Sequence, residues 1–315
     1  MTEGQNARPT AAVSKIEALD TSIFAIQPGH YSDRTSFLRV QRLVRAIQPG
    51  YAYLEVGSDL GGSLLPHLLD PACHIAVSLD PRPESQPDER GSDFHYENNS
   101  TARMLAELGK HASPEELGKL VTLDTDAAGI DRTAIAARPH LVLIDAEHTN
   151  VAAFSDFLSV LPLVADDSMI TFHDANLVGD TIQIIERFLT YMRTPYSTVI
   201  LPSCVAVFAF GAFLKPVQTE LAPHAEDSRS YFAAARQQRH EAVADAVMAR
   251  TTGLPARGIA ELVAWAADTQ QRAASAATTI ANMQDRLDAF TSSTSWRLTA
   301  PLRAASLLVR RRREP

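Results

Sequence analysis

Between residues 51 and 210 the sequence alternates short apolar runs with stretches of helical periodicity, and this alternation constrains the fold most. The runs "YAYLEVG", "HIAVSLD", "KLVTLD", "HLVLIDA" and "SMITFHD" have the length and aliphatic content of buried strands. Helical patterns begin after Gly61, near Ser100, at Val151, and over "DTIQIIERFLTYM" from Asp180. Strand, helix, strand order demands right-handed crossovers, and hence a parallel sheet covered by helices on both faces. The last two runs, "TVIL" and "VAVFAF", are separated only by "PSC". A connection that short can join only antiparallel neighbours, so the parallel sheet should end in a hairpin. Ahead of the first strand, "TSFLRVQRLVRAI" places Phe37, Val40, Leu43, Val44 and Ile47 on one helical face. With 315 residues, 45% of them hydrophobic, the chain is long enough to bury a full core of this kind.

Acids cluster where such a sheet would place its ligand. Three strands end in Asp80, Asp124 and Asp145, and a fourth delivers His173 and Asp174. Ligands of open α/β sheets bind beyond the carboxyl ends of the strands. Acids gathered there point to a binding or catalytic site rather than to solvation.

The turn after the first strand reads E-x-G-x-x-x-G-G-S, from Glu55 through Gly57, Gly61 and Gly62 to Ser63. Gly57 permits a tight turn and close approach of backbone to a ligand, and the following helix offers free N–H groups. A dinucleotide fingerprint would carry a middle glycine where Asp59 stands, and an acid beside a pyrophosphate is repulsive. A nicotinamide oxidoreductase is therefore disfavoured. An acid-bearing turn suits a ligand with a cationic end, such as the ammonium and sulfonium of S-adenosylmethionine. Asp80 follows Gly57 by 80 − 57 = 23 residues, where a carboxylate can accept the ribose hydroxyls.

Together, "YLEVGSDLGGSLL", "SLDPRPESQPDERG", "NNSTARML", "LIDAEHTN" and "ITFHDAN" resemble class I S-adenosylmethionine-dependent methyltransferases. The likeness is strongest to the bacterial O-methyltransferases of surface-sugar and natural-product pathways, and it covers roughly residues 29–213. It implies a Rossmann-like, seven-stranded, mostly parallel sheet with an antiparallel terminal hairpin. It also implies a cofactor site at Glu55, Gly57, Ser58, Gly61, Ser63, Asp80 and Asp145, with Asp126 on the adenine amino group and Ala127 supplying backbone. Asp59 departs from the commonest glycine-rich form of that turn.

Asp145 and Asp174 end strands that are neighbours in such a sheet, and two carboxylates with waters are what Mg²⁺ accepts. His173 adds a nitrogen donor that would also admit another divalent ion. The resemblance places metal ligands at these same three positions, Asp145, His173 and Asp174. Alternation along a strand leaves open that either His173 or Asp174 merely braces the loop. His148 is the candidate general base, since methyl transfer to a hydroxyl requires loss of its proton and an imidazole can accept one near neutral pH. A helix cap is the alternative for His148, and Glu147 is a further acid near the site. In the loop before the first long helix, His30 and Tyr31 are candidate substrate contacts. The proline-rich "PRPESQPDERG" after Asp80 has the length of a lid, in which Arg82 could meet an anionic acceptor.

Four regions result: an N-terminal segment (1–34), its first twenty residues polar and loose, that covers the substrate site; the methyltransferase-like domain (35–215); a C-terminal helical extension (216–290); and a basic amphipathic tail (291–315). In the extension, Ile259, Leu262, Ala266, Thr269, Ala273, Ala276, Ile280, Met283, Leu287 and Phe290 step by three and four, as in a short coiled coil that would form a homo-oligomer. The tail mixes Trp296 and leucines with Arg310 to Arg313 and suits an anionic membrane surface. Its "SWRLTAPLR" is similar to tails on bacterial enzymes of cell-surface polysaccharide assembly. A net charge of −8 argues against a nucleic-acid partner. Neither an apolar leader nor a membrane-spanning run is visible, and Cys73 and Cys204, both in strand-like surroundings, read as reduced and buried, so the expected location is the cytoplasm. The expected function is O-methylation of a sugar or glycan; a small-molecule acceptor and a non-catalytic assembly scaffold are the alternatives.

Overall fold

The computed structural model describes residues 10–26, 33–131, 133 and 135–251. His30, Tyr31, the stepped seam 259–290 and the basic tail 291–315 lie outside the described residues. The seven-stranded sheet comprises β1 (Tyr51–Val56), β2 (Cys73–Leu79), β5 (Leu120–Leu123), β6 (Leu141–Ile144), β7 (Ser168–Phe172), β8 (Ser197–Leu201) and β9 (Val205–Phe210). Its order is β5-β2-β1-β6-β7-β9-β8. All neighbours are parallel except β7–β9 and β8–β9, as the short "PSC" connection requires. This is the expected Rossmann-like sheet with its antiparallel terminal hairpin.

Strand order reverses between β1 and β6, where the chain has wound first toward β5 and then toward β7. Crossovers leave that point on opposite faces, so a crevice opens beyond the strand ends. Glu55 in β1 sits beside Ser78 of β2 and Leu143 of β6, so the turn that follows begins at this crevice.

Alternation along β1 sends Tyr51 and Tyr53 into one core layer and Leu54 and Val56 into the other. Four helices flank the sheet: α2 (Arg34–Ile47), α3 (Leu64–Leu69), α6 (Asn150–Val160) and α7 (Gly179–Tyr191). Val40, Leu43 and Val44 of α2 are buried, as its periodicity predicts. A short α4 (Thr101–Leu108), capped by the Ser100 hydroxyl, and the single turn α5 (Pro114–Leu117) lead into β5.

Two regions differ from expectation. Part of the N-terminal stretch read as loose forms α1 (Ala11–Ala18), capped by Thr10. Ile16 anchors it in a small core with Ile23, Phe24 and Leu38, a tertiary contact that the local alanine-rich composition does not announce. The proline-rich loop after β2 folds into a ribbon, β3 (Ser85–Gln86) paired antiparallel with β4 (Phe94–His95). A C-terminal helix, Ser228–Thr251, begins the expected extension. It packs Phe232 against Gly179, and Arg239 Nη1 donates to the Leu177 carbonyl at 2.9 Å. No helix among the described residues is long and apolar enough to cross a membrane.

Candidate functional site

A cavity of about 340 Å³ opens at the strand ends around the switch point. Its wall brings together Glu55, Gly57, Ser58 and Ser63 from the first turn with Asp80, Asp145, His148, His173 and Asp174. The N-terminal segment adds Asp33 and Phe37, and the ribbon region adds Gln86, Arg90, Phe94 and Tyr96.

The first turn is held by the acids around it. Asp80 Oδ2 accepts the backbone N–H groups of Ser58 at 2.9 Å and Asp59 at 3.1 Å, while Oδ1 accepts that of Arg82 at 2.8 Å. Glu55 is fully buried, and its two oxygens accept from the Tyr53 and Ser63 hydroxyls, each at 2.6 Å. Burial, with lesser help from the charges of Asp145 and Asp80, pushes the Glu55 carboxyl up to about 8, against the two hydroxyl donors. Glu55 braces the turn through these two hydroxyls. The close approach that Gly57 permits is to the chain itself: at φ +83°, a Cβ there would overlap the Asp145 carbonyl. Gly61 serves packing in the same way, since its Cβ would lie 3.0 Å from Leu108 of α4.

Beyond β6 and β7, carboxylates and imidazoles interlock. His173 Nδ1 bonds Asp145 Oδ1 at 2.9 Å and its Nε2 bonds Asp33 Oδ2, so both ring nitrogens are occupied. His148 Nε2 lies 3.1 Å from Asp174 Oδ2 and 3.9 Å from Asp145 Oδ1, while its Nδ1 is 3.1 Å from Asp88 Oδ2. Burial alone would lower the His148 pKa, but its contacts with Asp145, Asp88 and Asp174 override this and raise it to about 10. The imidazolium charge of His173 and hydrogen bonds from both histidines in turn keep Asp145 well below the ordinary carboxylate range, despite burial.

Ligand atoms of Asp145, His148 and Asp174 lie within 4.8 Å of one another, as do those of Asp33, His173 and Cys204. The paired carboxylates of Asp145 and Asp174 are a donor set that fits a divalent cation, with the His148 imidazole beside them.

Residues 54–175 match the family model described as "Methyltransferase domain". Over this segment the chain is similar to a methyltransferase domain. No curated protein matches the sequence. Solved structures similar to this chain include the N-methyltransferase NodS of Bradyrhizobium japonicum WM9, at 13% identity over 62% of this chain and 98% of that one, TM-score 0.39. The O-methyltransferase TomG of Streptomyces achromogenes matches at 12% identity over 66% and 93%, TM-score 0.40. The Podospora anserina methyltransferase PaMTH1 matches at 14% over 64% and 88%, TM-score 0.40.

Within this segment the structure sorts the expected residues. Glu55, Gly57, Ser58, Ser63, Asp80 and Asp145 line one cavity, whereas Gly61, Asp126 and Ala127 are absent from its wall. Asp126 caps the backbone N–H of Gly129 at 2.7 Å, and Ala127 is buried in the core. Of the expected metal ligands, Asp145 and Asp174 converge beside His148, while both ring nitrogens of His173 meet carboxylates. Glu147 accepts the hydroxyl of Thr149, the N-cap of α6, at 2.7 Å and does not line the cavity. Arg82 turns inward across the first turn, donating to the Asp59 carbonyl at 2.7 Å, and does not line the cavity.

Sequence reading missed Asp33, Asp88 and Cys204. Asp33 and Asp88 sit in irregular segments with no pattern around them. Cys204, read as an inert strand residue, turns at φ +71° so that Sγ lies 3.7 Å from Asp174 Oδ1. Two successive non-glycine residues at positive φ, Ser203 and Cys204, flag that turn only once coordinates exist.

Proposed function

We propose that the protein methylates a hydroxyl of a sugar or glycan in cell-surface polysaccharide biosynthesis, with a divalent cation held by Asp145 and Asp174. The observation that carries this reading is the convergence of Asp145, His148 and Asp174, with ligand atoms within 4.8 Å, in the same cavity as the glycine turn. Gly57, Ser58 and Ser63 would border the methyl donor, with the spare acceptor capacity of Asp80 for its ribose. When bound, Mg²⁺ or a similar cation would take up the charge of the two carboxylates and lower the pKa of an acceptor hydroxyl. With the charge of Asp145 and Asp174 taken up in this way, two of the carboxylates that raise the His148 pKa would be neutralised, and its Nε2, which lies 3.1 Å from Asp174 Oδ2, would be free to accept the hydroxyl proton as the new O–C bond forms and the sulfonium C–S bond breaks.

Phe94 and Tyr96, with ring centroids 4.8 Å apart, stand beside Gln86 and Asn99 in the cavity wall. Aromatic faces next to amide groups suit a ring that is apolar on one side and hydroxylated at its edge. The proposal places the enzyme in the cytoplasm, with residues 259–290 for self-association and the basic tail at the inner membrane surface.

The test is transfer of labelled methyl from S-adenosylmethionine to sugar nucleotides, lipid-linked glycans and small phenols. A sugar acceptor should be turned over, and both EDTA and Asp145→Ala should reduce kcat at least about 100-fold while S-adenosylhomocysteine still binds. Turnover that survives both treatments removes the cation. Donor binding with no turnover of any acceptor would favour the scaffold alternative.

A further inference from the structure

We propose that Asp88, on the ribbon region between β2 and α4, is a positioning residue for His148: it accepts the Nδ1–H and so keeps Nε2 aimed into the cavity. The inference rests on the proposed role of His148 and adds a residue that contacts neither donor nor acceptor.

Four observations tie Asp88 to this task. The Asp88 side chain is 2% exposed, and its Oδ2 lies 3.1 Å from His148 Nδ1, opposite the nitrogen that faces Asp174. Arg90 fixes the carboxylate from behind, its Nε donating to Oδ1 at 2.8 Å and its Nη2 to Oδ2 at 2.5 Å. The two backbones are also joined: Asp88 and His148 form a parallel bridge, and Glu89 N donates to the His148 carbonyl at 3.1 Å. Glu89 Oε1 then accepts from both the backbone N and the side-chain Nδ2 of Asn150, each at 2.9 Å, at the start of α6.

Pairing with Arg90 does not by itself account for this arrangement. Arg90 is 45% exposed, and an ion pair on a wet surface contributes little, so it gives no reason to bury the carboxylate. Burial places the carboxylate where it can fix an imidazole's tautomer and ring direction. A carboxylate on one ring nitrogen does this for histidines that bind metals or move protons. The loop read as having the length of a lid thus forms part of the wall of the site.

The test compares Asp88→Asn, Asp88→Glu, His148→Gln and the Asp88→Asn/His148→Gln double variant, each first shown to fold and to bind S-adenosylhomocysteine. Asp88→Asn should lower kcat about 10- to 100-fold with the KM for the methyl donor within about twofold, and Asp88→Glu should restore part of it. In the His148→Gln background the same change should cost less than about twofold, because Asp88 acts through the ring that is gone. An equal loss in both backgrounds, or none in either, overturns the inference. Independently of turnover, proton NMR should show a hydrogen-bonded His148 Nδ1–H that disappears in His148→Gln and moves upfield in Asp88→Asn. If no acceptor is methylated but this signal behaves as stated, the proposed reaction fails and the positioning contact stands; an unchanged signal in Asp88→Asn refutes the contact itself.

Discussion

Asp33, at the start of α2, hydrogen-bonds Nε2 of His173, which lies 140 positions further along the chain. The same ring bonds Asp145 through Nδ1, so a single imidazole fastens the N-terminal segment to the centre of the sheet. Burial opposes a charge on His173, yet Asp145, with hydrogen bonds to Asp145 and Asp33, raises its pKa well above the ordinary value. Asp33 makes no side-chain cap on α2, so this contact is its structural role. Asp33→Asn removes one charge-assisted hydrogen bond and should lower stability by about 1.5–3 kcal/mol. Urea unfolding should show an earlier midpoint with an unchanged slope.

Glu55 makes stability depend on pH in a direction opposite to most carboxylates. Its folded pKa, about 8, lies above the ordinary 4.5, so across that window the folded chain holds a proton that the unfolded chain has released. The stabilisation of protonated Glu55 is complete below 4.5 and is lost as pH rises through about 8. Each pH unit inside the window should cost up to about 1.4 kcal/mol. Glu55→Gln, which keeps an acceptor for Tyr53 and Ser63, should flatten this slope in urea titrations at several pH values. Parallel stability curves for the two proteins would mean that the carboxyl is ionised when folded.

Gly57→Ala tests whether the turn needs glycine for the chain or for the ligand. A methyl group at φ +83° would overlap the Asp145 carbonyl and Ala146 Cα. Left-handed strain and overpacking together should cost about 2–5 kcal/mol. Thermal unfolding of the donor-free protein should register this loss. A variant as stable as the parent that merely binds donor poorly would return the glycine to the ligand.

The C-terminal helix supports the site at a distance. Arg239 donates to the Leu177 carbonyl and, at 2.8 Å, to Asp180 Oδ2, and Leu177 N in turn bonds the Asp174 carbonyl at 2.7 Å. Arg239→Ala should lower stability by about 1–3 kcal/mol. Faster hydrogen exchange at residues 174–180 than in the parent is the expected signature. Unchanged exchange there would separate the helix from the site.

The strands, crossover helices and terminal hairpin were legible because each is written in a few consecutive residues: apolar runs of strand length, helical spacing, and a three-residue connection between two strands. The glycine turn and the acids at the strand ends were legible for the same reason, since a parallel sheet carries every such end to one edge. What each acid does there was not legible. Glu55 looked like a charge for a cationic ligand, but full burial pushes its carboxyl up to about 8 against the pull of two hydroxyl donors. His173 was read as a metal ligand and His148 as a general base, and their places depend on Asp33 and Asp88, 140 and 60 residues away. A histidine's chemistry is set by what occupies each ring nitrogen. Those partners reach the ring only once the sheet has closed and the ribbon lies over it, so the local sequence settled the scaffold and the tertiary contacts settled what each imidazole nitrogen meets.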